Sequence, residues 1–407
     1  MKGRVSIFGG GIGMYQFDKI IDRSNTSSVK WDPEILLENF GVEDCLPLWV
    51  ADMDFEVAPA IKEALIKVAE HGIYGYSGTT KHMDAFVNWV DRRFDWLIQS
   101  EWLLNTPGVV NAFNVAIQTY TRPGDQVIIQ RPVYYPFTDA IVNNGRRVSS
   151  NSLILNEKGR YDIDFEDFEM RAKDPNTTMF LLCSPHNPVG RLWTKEELTK
   201  MMQICLDNNV LVVSDEIHAD LVMPGYKHYP AATIGEKYLE NLITLMAPSK
   251  TFNLAGMQLS YVVISDEMKR REFGRTLEQG SIGIVNRFAF ESATVAYNDS
   301  EDWLEAVIGY IHGNYKYVKE YFKKELPLVG IHELEATYLV WMDFRSLDLT
   351  LDELTEVIFK DAKVGLDGGD WFGTEGAGFM RMNLACPREI IEKACEAIVA
   401  GVKKIKD

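Results

Sequence analysis

The sequence predicts an α/β protein built on a mainly parallel β-sheet. Three continuous apolar runs, at residues 178–183, 210–214 and 242–246, have the length of strands that are buried on both faces of such a sheet. Between the first two runs, Thr194 and Glu197 have the spacing of a capping box, which predicts the start of a connecting helix. A strand, a helix and a second strand in this order indicate a parallel crossover unit.

Polar residues follow each apolar run. Asn187 lies in the segment Ser-Pro-His-Asn-Pro-Val-Gly, Asp215 follows the second run directly, and Lys250 comes shortly after the third. Ligands bind at the carboxyl ends of the strands in open parallel sheets, so we expect these three side chains to share one site. Each also has an ordinary alternative. Asn187 could form a turn, Asp215 could cap a helix or pair with an arginine, and Lys250 could be a surface lysine.

These three residue types suit pyridoxal 5'-phosphate (PLP). The cofactor needs a lysine for its aldehyde, a carboxylate for its ring nitrogen and a donor for its phenolate oxygen. Lys250, Asp215 and Asn187 provide these groups in that order. Burial lowers a lysine pKa because it penalises the ammonium form, and the neutral amine can then attack a carbonyl. The sequence therefore predicts PLP as the cofactor.

The chain resembles the aspartate-aminotransferase-like, fold type I PLP enzymes from about residue 14 to the end. The resemblance rests on three linked motifs: Ser-Pro-His-Asn-Pro-Val-Gly at 184–190, Ser-Asp-Glu-Ile-His at 214–218 and Ser-Lys-Thr-Phe-Asn at 249–253. It implies a large domain with a mainly parallel seven-stranded sheet and a smaller α+β domain.

A narrower similarity joins the chain to the cystathionine β-lyase and cystalysin group of C–S lyases. It rests on Asp-Met-Asp-Phe at 52–55, Tyr-Gly-Tyr-Ser at 74–77 and Pro-Val-Tyr-Tyr-Pro-Phe at 132–137, together with the motifs that contain Asp215 and Thr251. This similarity implies a lyase that acts on cysteine conjugates.

The implied fold divides the chain into segments. Residues 1–13 are expected to be a flexible extension, 14–55 the N-terminal part of the small domain, 56–295 the large PLP-binding domain, and 296–407 the C-terminal part of the small domain. Residues 5–13 imitate a dinucleotide-binding loop, but neither the required helix nor an acidic residue at the end of a next strand follows them. We therefore expect no nicotinamide or flavin.

The phosphate of the cofactor needs backbone amides at the start of a helix. A Pro-Gly turn at 107–108 leads into a helix-compatible stretch. The resemblance implies that the amides of Val109 and Val110 hold the phosphate, helped by the Ser249 hydroxyl. An ordinary strand-to-helix turn is the alternative.

Three more side chains are assigned to the cofactor or substrate by the resemblance. Tyr134, which follows the strand-like run 126–130, would stack on the pyridine ring and belongs with Lys250 and Asp215 to the predicted catalytic group. Tyr135 would line the substrate side. His218 would donate to the phenolate oxygen, or else be a core histidine with its ring nitrogens satisfied; the two tyrosines could instead only cover the sheet edge.

Arg381 and Tyr76 complete the predicted site. Arg381 lies on a strand with Phe379 and Asn383 on the same face, and its planar fork suits a carboxylate. The resemblance assigns it, together with Asn187, to the substrate α-carboxylate and cofactor; a solvated arginine is the alternative. Tyr76 would reach the cofactor phosphate of a neighbouring subunit, which implies a homodimer with composite sites.

Two positions depart from the pattern of many aminotransferases. Gln258 stands where those enzymes have an arginine for the phosphate, and Ala247 stands where they often have serine. Glutamine at that position is found in the C–S lyase group. It also leaves the phosphate with less charge compensation.

Composition excludes several classes of protein. A net charge of −17 disfavours nucleic acid and anionic membranes as partners. No apolar stretch has the length of a membrane span. Five scattered cysteines without a Cys-x-x-Cys pair predict reduced thiols, a cytoplasmic location and no metal site.

The predicted function is a PLP-dependent C–S β-lyase that cleaves cystathionine or other cysteine S-conjugates to a thiol, pyruvate and ammonia. In this mechanism the Lys250 amine removes the α-proton, and the β-thiolate leaves. An aminotransferase that acts on an amino acid and a 2-oxo acid is the first alternative, since it would use the same residues. A lyase with an additional regulatory, protein-binding role is the second.

Overall fold

The computed structural model describes residues 15–282 and 285–406, and the predicted extension at 1–13 lies outside these ranges. The α-helices of the described ranges are α1 (Pro33–Phe40), α2 (Pro59–His71), α3 (Lys81–Phe94), α4 (Val109–Tyr120), α5 (Pro136–Asn143), α6 (Phe165–Ala172), α7 (Lys195–Asp207), α8 (Pro248–Thr251), α9 (Glu267–Gln279), α10 (Arg287–Asp299), α11 (Glu301–Glu325), α12 (Leu351–Thr355) and α13 (Arg388–Lys406). Short 3₁₀ helices span Val29–Trp31, Ser100–Trp102, Ala231–Thr233, Glu236–Asn241, Ala255–Met257, Arg345–Leu347, Gly369–Phe372 and Thr374–Gly376, and a π-helical turn spans Glu356–Asp361.

The strands are β1 (Leu46–Pro47), β2 (Leu103–Thr106), β3 (Gln126–Ile129), β4 (Arg147–Ser150), β5 (Ile154–Leu155), β6 (Tyr161–Asp162), β7 (Thr177–Cys183), β8 (Leu211–Asp215), β9 (Leu242–Met246), β10 (Ser260–Val263), β11 (Gly330–Ile331), β12 (Leu339–Asp343), β13 (Val364–Gly365), β14 (Asp367–Gly368) and β15 (Phe379–Asn383). The three apolar runs from which the fold was predicted are β7, β8 and β9. The capping box of Thr194 and Glu197 is present at the start of α7, as predicted.

The larger sheet has seven strands in the order β2-β10-β9-β8-β7-β3-β4. From β9 to β4 all neighbours are parallel, and β10 runs antiparallel to both β9 and β2. The predicted α/β class with a mainly parallel seven-stranded sheet is therefore confirmed.

Both faces of this sheet are buried, as the continuous apolar runs predicted. Met179 and Leu181 of β7 belong to a core that includes Phe113 of α4. Phe180 and Leu182, which point to the opposite face, belong to a second core that extends into the rest of the chain. Since both faces are covered, polar ligands can reach the sheet only at its edges or at the strand ends.

A smaller antiparallel sheet has the order β11-β12-β15-β14. Its strand β12 begins at Leu339, two residues after Thr337, which adopts a positive φ of 72°. In this sheet Arg381 of β15 lies directly opposite Asp367 of β14. The two sheets are consistent with two domains, and the boundaries at 55/56 and 295/296 stay a prediction.

In the part of the chain that the structure describes, no helix combines the length and apolarity that a bilayer span requires. All five cysteines are buried and carry free thiols. The described residues contain no group of three or more His, Cys, Asp or Glu side chains placed to hold a metal ion.

Candidate active site

A cavity of about 560 Å³ lies at the carboxyl ends of β7, β8 and β9. It brings together every predicted site residue except Tyr76. These are Val109, Val110, Tyr134, Tyr135, Asn187, Asp215, His218, Ser249, Lys250 and Arg381. The parallel strands end at the same edge of the sheet, so residues distant in the sequence meet there.

Asp215 is the last residue of β8 and is only 6% exposed. Its Oδ1 atom accepts a hydrogen bond of 3.1 Å from the amide of Ile217. Burial, together with the neighbouring Glu216, raises the pKa of this carboxyl to about 7, while the Ile217 amide and Lys250 oppose the shift. A carboxylate with this pKa is suited to share a proton with a ring nitrogen of a bound ligand.

Lys250 lies in the short helix α8, which follows β9 directly. Its Nζ atom donates a hydrogen bond of 2.7 Å to the carbonyl oxygen of Ala51. Burial, together with the positive charge of Arg381, lowers the pKa of the Lys250 amine to about 8, while Asp52 and Asp215 oppose the shift. The neutral, nucleophilic form of the amine therefore becomes the main form above about pH 8, a lower pH than an exposed lysine requires.

Ala51 belongs to residues 49–54, which we call the strap. Side chains from two distant regions hold its backbone: Asn383 donates to the carbonyls of Val50 and Asp52, each at 2.7 Å, and Asn253 bonds both the amide and the carbonyl of Met53. The Asp54 carboxylate accepts from Lys30 at 2.6 Å and from Arg23 at 2.6 Å. These bonds fix the acceptor that positions Lys250.

Arg381 is buried at 3% exposure, so the alternative of a solvated arginine is wrong. Its Nη1 group donates to Asn187 Oδ1 at 3.0 Å, and its Nη2 group donates to the carbonyl of Trp49 at 3.0 Å and to Asp367. Its Nε group has no hydrogen-bond partner among the described residues, although it is buried. The guanidinium thus keeps an unused donor at the cavity.

Asn187 and the aromatic residues form the wall next to Arg381. Asn187 Oδ1 is used by Arg381, and its carbonyl accepts from the Tyr134 amide at 3.1 Å. The rings of Tyr134 and Tyr135 lie 5.5 Å apart, and Tyr135 contacts Phe372 at 6.0 Å. Burial raises the pKa of both tyrosines, so both hydroxyls remain protonated at neutral pH.

His218 is buried beside the Tyr338 ring, at 6.0 Å between ring centroids. Within the described residues its Nδ1 atom has no hydrogen-bond partner. Burial holds the pKa of this imidazole well below its ordinary value, and Lys250 and Arg381 act in the same direction. This geometry does not match a core histidine whose ring nitrogens are both satisfied.

The start of α4 forms the opposite end of the cavity. Gly108 precedes the helix with a φ of 152°, and the following amides of Val109 and Val110 begin the first turn. Ser249 and Gln258 line the same cavity, and the pairing of Ser260 with Thr106 places Gln258 near Gly108. The Asn111 Oδ1 atom, also at this end, has no hydrogen-bond partner within the described residues.

Tyr76 lies outside the cavity and is 100% exposed. It belongs to an irregular stretch between α2 and α3, in which Ile73 and Tyr74 are also exposed. Within one chain, therefore, Tyr76 does not meet the other predicted site residues.

Sequence reasoning missed three contributors to the site: Ala51, Tyr338 and Asp367. The hydroxyl of Tyr338 donates to the Ala51 carbonyl at 2.8 Å, and Asp367 is the carboxylate partner of Arg381. Ala51 acts through its backbone, which a sequence pattern does not show. An acid in the otherwise apolar run 364–367 was the available signal for Asp367.

The aminotransferase class I and II family model matches residues 43–398. Cystathionine beta-lyase PatB of Bacillus subtilis (strain 168) is 43% identical over 387 residues, which cover 95% of this chain and 99% of that protein. Cystalysin from Treponema denticola, whose crystal structure contains a PLP cofactor, is similar with a TM-score of 0.93 and 37% identity, covering 96% of this chain and 100% of that one. The PLP-bound C–S lyase from Staphylococcus hominis has a TM-score of 0.89 and 31% identity, covering 97% and 100%.

The chain therefore belongs to the aminotransferase class I and II family, and its fold is that of the fold type I PLP enzymes. The family and fold that the linked motifs predicted are confirmed.

Proposed function

We propose that this chain is a PLP-dependent C–S β-lyase that cleaves cystathionine or related cysteine S-conjugates to a thiol, pyruvate and ammonia. The observation that carries the proposal is the meeting of Lys250, Asp215, Asn187 and Arg381 around one cavity. The names of two of the relatives reported above, cystathionine beta-lyase PatB and the C–S lyase from Staphylococcus hominis, support the same chemistry.

The cavity fits the cofactor on the evidence of its unpaired polar atoms. Within the described residues, Nδ1 of His218, Oδ1 of Asn111 and Nε of Arg381 are buried and have no hydrogen-bond partner, and all three residues line the cavity. Buried polar atoms are usually paired, so these three unpaired atoms of lining residues are available to a polar ligand. Their positions span the cavity from the start of α4 to β15.

Specific residues would hold the cofactor. Lys250 would bind its aldehyde, Asp215 its ring nitrogen, and Asn187 with His218 its phenolate oxygen, while Tyr134 would stack on its ring. The amides of Val109 and Val110 and the Ser249 hydroxyl would hold its phosphate, because a helix start attracts anions. When bound, PLP supplies a conjugated ring that takes up the electron pair left by removal of the α-proton.

The remaining steps belong to the residues of the chain. Arg381 binds the substrate α-carboxylate, with Asn187 holding its guanidinium and Tyr135 lining the substrate side. The Lys250 amine, which has a pKa lowered to about 8, accepts the α-proton and is held near the site by the Ala51 carbonyl.

The complete site would contain a second copy of the chain. Tyr76 is fully exposed in one chain, together with Ile73 and Tyr74, and such a group of apolar side chains is expected to be covered by a partner. We propose a homodimer in which Tyr76 contacts the cofactor phosphate of the neighbouring subunit. Gel filtration with light scattering measures the mass, and a Tyr76→Ala variant should retain the dimer but bind PLP more weakly.

The state of the cysteines indicates the compartment in which the protein works. All five cysteines are buried thiols without disulfides, which is the state that a reducing compartment maintains. We propose a cytoplasmic enzyme, and fractionation of cells that express the chain at native level tests this.

The reaction is tested by incubating the PLP-loaded protein with cystathionine and measuring pyruvate, with and without an added 2-oxo acid. Pyruvate release without the oxo acid supports the lyase. Turnover that requires the oxo acid would instead establish the aminotransferase. A Lys250→Ala variant should lose both turnover and the visible absorbance that depends on the lysine; an unchanged spectrum contradicts the role of Lys250.

A further inference from the structure

Asp367 and Arg381 form a buried ion pair that lines the cavity. They are directly opposite each other on the antiparallel strands β14 and β15, so both side chains project from the same face. Asp367 is 2% exposed and Arg381 is 3% exposed, and both line the cavity. The pair therefore faces whatever binds there rather than bulk solvent.

The hydrogen bonds show which nitrogen atoms of the Arg381 guanidinium are already occupied. Nη2 of Arg381 is used by Asp367 and by the Trp49 carbonyl, Nη1 is used by Asn187, and Nε is unused. Among the described residues, Arg381 is the only hydrogen-bond donor to Asp367. A substrate carboxylate that approaches Arg381 therefore meets a cation whose charge is already compensated, with an anion beside it.

The other charged side chains of the cavity do not offset the negative charge of Asp367. Among the described residues that line it, the charged side chains are Lys250, Arg381, Asp215 and Asp367. Tyr134 and Tyr135 lie close enough to Asp367 for its charge to affect them, and their hydroxyls remain protonated, since burial raises the pKa of both. Burial raises the pKa of Asp367 to about 6, opposed by Arg381, which leaves the carboxyl mainly ionised at neutral pH.

We propose that Asp367 is a specificity-determining residue that allows one carboxylate at Arg381 and rejects substrates with a second, uncompensated carboxylate nearby. The inference rests on the proposed function and names its substrate class: amino acids whose side chain is neutral or zwitterionic at its far end. Aspartate, glutamate and the corresponding dicarboxylic oxo acids are excluded, because their second carboxylate is repelled by Asp367. In the lining that one chain provides, the two cations are already assigned, Lys250 to the cofactor and Arg381 to the α-carboxylate.

The test measures binding rather than turnover. Propionate and succinate, which differ by one carboxylate, are titrated into the PLP-loaded protein at neutral pH by calorimetry. The unmodified protein should bind propionate more tightly than succinate. In Asp367→Asn, whose amide oxygen can still accept from Arg381, succinate affinity should rise at least about tenfold more than propionate affinity, because one like-charge repulsion is removed.

Two variants serve as controls. Asp367→Glu keeps the charge and should retain the preference for propionate. Asp370→Asn removes the same charge from an exposed position three residues away and should behave like the unmodified protein. A merely structural role of Asp367 would weaken both ligands equally in Asp367→Asn and would leave their ratio unchanged.

Two results would overturn the inference: equal affinity of the unmodified protein for propionate and succinate, or an unchanged ratio in Asp367→Asn. If Asp367→Asn does not fold, the ratio of propionate to succinate affinity is compared between the unmodified protein and Asp367→Ser instead. Because these measurements need no catalysis, a failure to release pyruvate from cystathionine would contradict the proposed lyase and leave the role of Asp367 standing. Pyruvate release together with an unchanged ratio of propionate to succinate affinity in Asp367→Asn would support the lyase and contradict the role of Asp367.

Discussion

Lys250 and Tyr338 donate hydrogen bonds to the same backbone oxygen, that of Ala51, at 2.7 and 2.8 Å. The carbonyl lies in the strap, whose backbone is fixed by side chains from several parts of the chain. Since an acceptor shared by two donors binds each of them less strongly, the Tyr338 hydroxyl limits how far this oxygen stabilises the Lys250 ammonium.

Replacing Tyr338 with phenylalanine tests this relationship. The Ala51 oxygen would then be available to Lys250 alone, which favours the ammonium form and raises the pKa of the amine. We expect the acidic limb of the pH–rate profile to move upward by roughly half a pH unit, and the protein to lose about 1 kcal/mol of stability with the hydrogen bond. Tyr120→Phe, which removes a hydroxyl bonded to the Lys269 carbonyl outside the cavity, should change stability only. Equal pH profiles for the two variants would contradict the prediction.

The reactivity of Lys250 should report its pKa directly. In the protein without cofactor, the amine is mainly protonated and unreactive below about pH 8 and becomes a neutral nucleophile above it, because its pKa is lowered to about 8. Labelling with an amine-reactive reagent across a pH series, read by mass spectrometry, should give a midpoint near that value. In the same series, Lys250→Ala should remove the labelled peptide. A midpoint for Lys250 far above pH 8 would refute the assignment.

Asp215→Asn should stabilise the protein without cofactor while abolishing turnover. In the folded protein Asp215 retains its proton up to about pH 7, whereas an unfolded aspartate loses it at much lower pH. The folded state therefore binds more protons between those values, and ionisation of Asp215 progressively destabilises it as the pH rises. Asparagine does not ionise and can still accept from the Ile217 amide.

The size of this effect should depend on pH. The gain in unfolding free energy should be small at pH 4, grow up to about pH 7 and then stay constant, reaching on the order of 4 kcal/mol. Urea denaturation at pH 4 and pH 8 measures it. The exposed Asp370→Asn, used as a control, should give no pH-dependent gain, and an equal gain for both variants would exclude burial as the cause.

Gln258→Arg should strengthen cofactor binding. Gln258 lines the cavity near the start of α4, where the described lining contains no Lys or Arg apart from Lys250 and Arg381. An arginine can bind a phosphate through two charge-assisted hydrogen bonds, so we expect roughly tenfold slower loss of PLP. Dialysis followed by absorbance measures the rate. Gln99→Arg adds the same charge at an exposed position and should not slow the loss; if it does, net charge rather than the site is responsible.

The sheet and much of the site could be predicted because they depend on local patterns. Strands buried on both faces must be apolar throughout, so β7, β8 and β9 were visible as continuous runs. Asn187, Asp215 and Lys250 could be grouped because parallel strands end at one edge. The strand that contains Arg381 could also be predicted, but its pairing with β14 could not.

The contacts that tune the site could not be predicted in this way. Lys250 and Ala51 are 199 positions apart, and Tyr338 and Ala51 are 287 apart. Asp367 lies opposite Arg381 only because β14 and β15 pair in one register. Neither the strand register nor the path of the strap is encoded in a short pattern, since both depend on how distant segments pack together.

The sequence by itself thus determined the strands, the polar residues at their ends and the family. The tertiary structure decided which acceptor holds Lys250, how much of the Arg381 fork is already occupied, and that Tyr76 is exposed. The physical reason is that burial and hydrogen bonding set the pKa and charge balance of a site, and these arise only when the chain is folded.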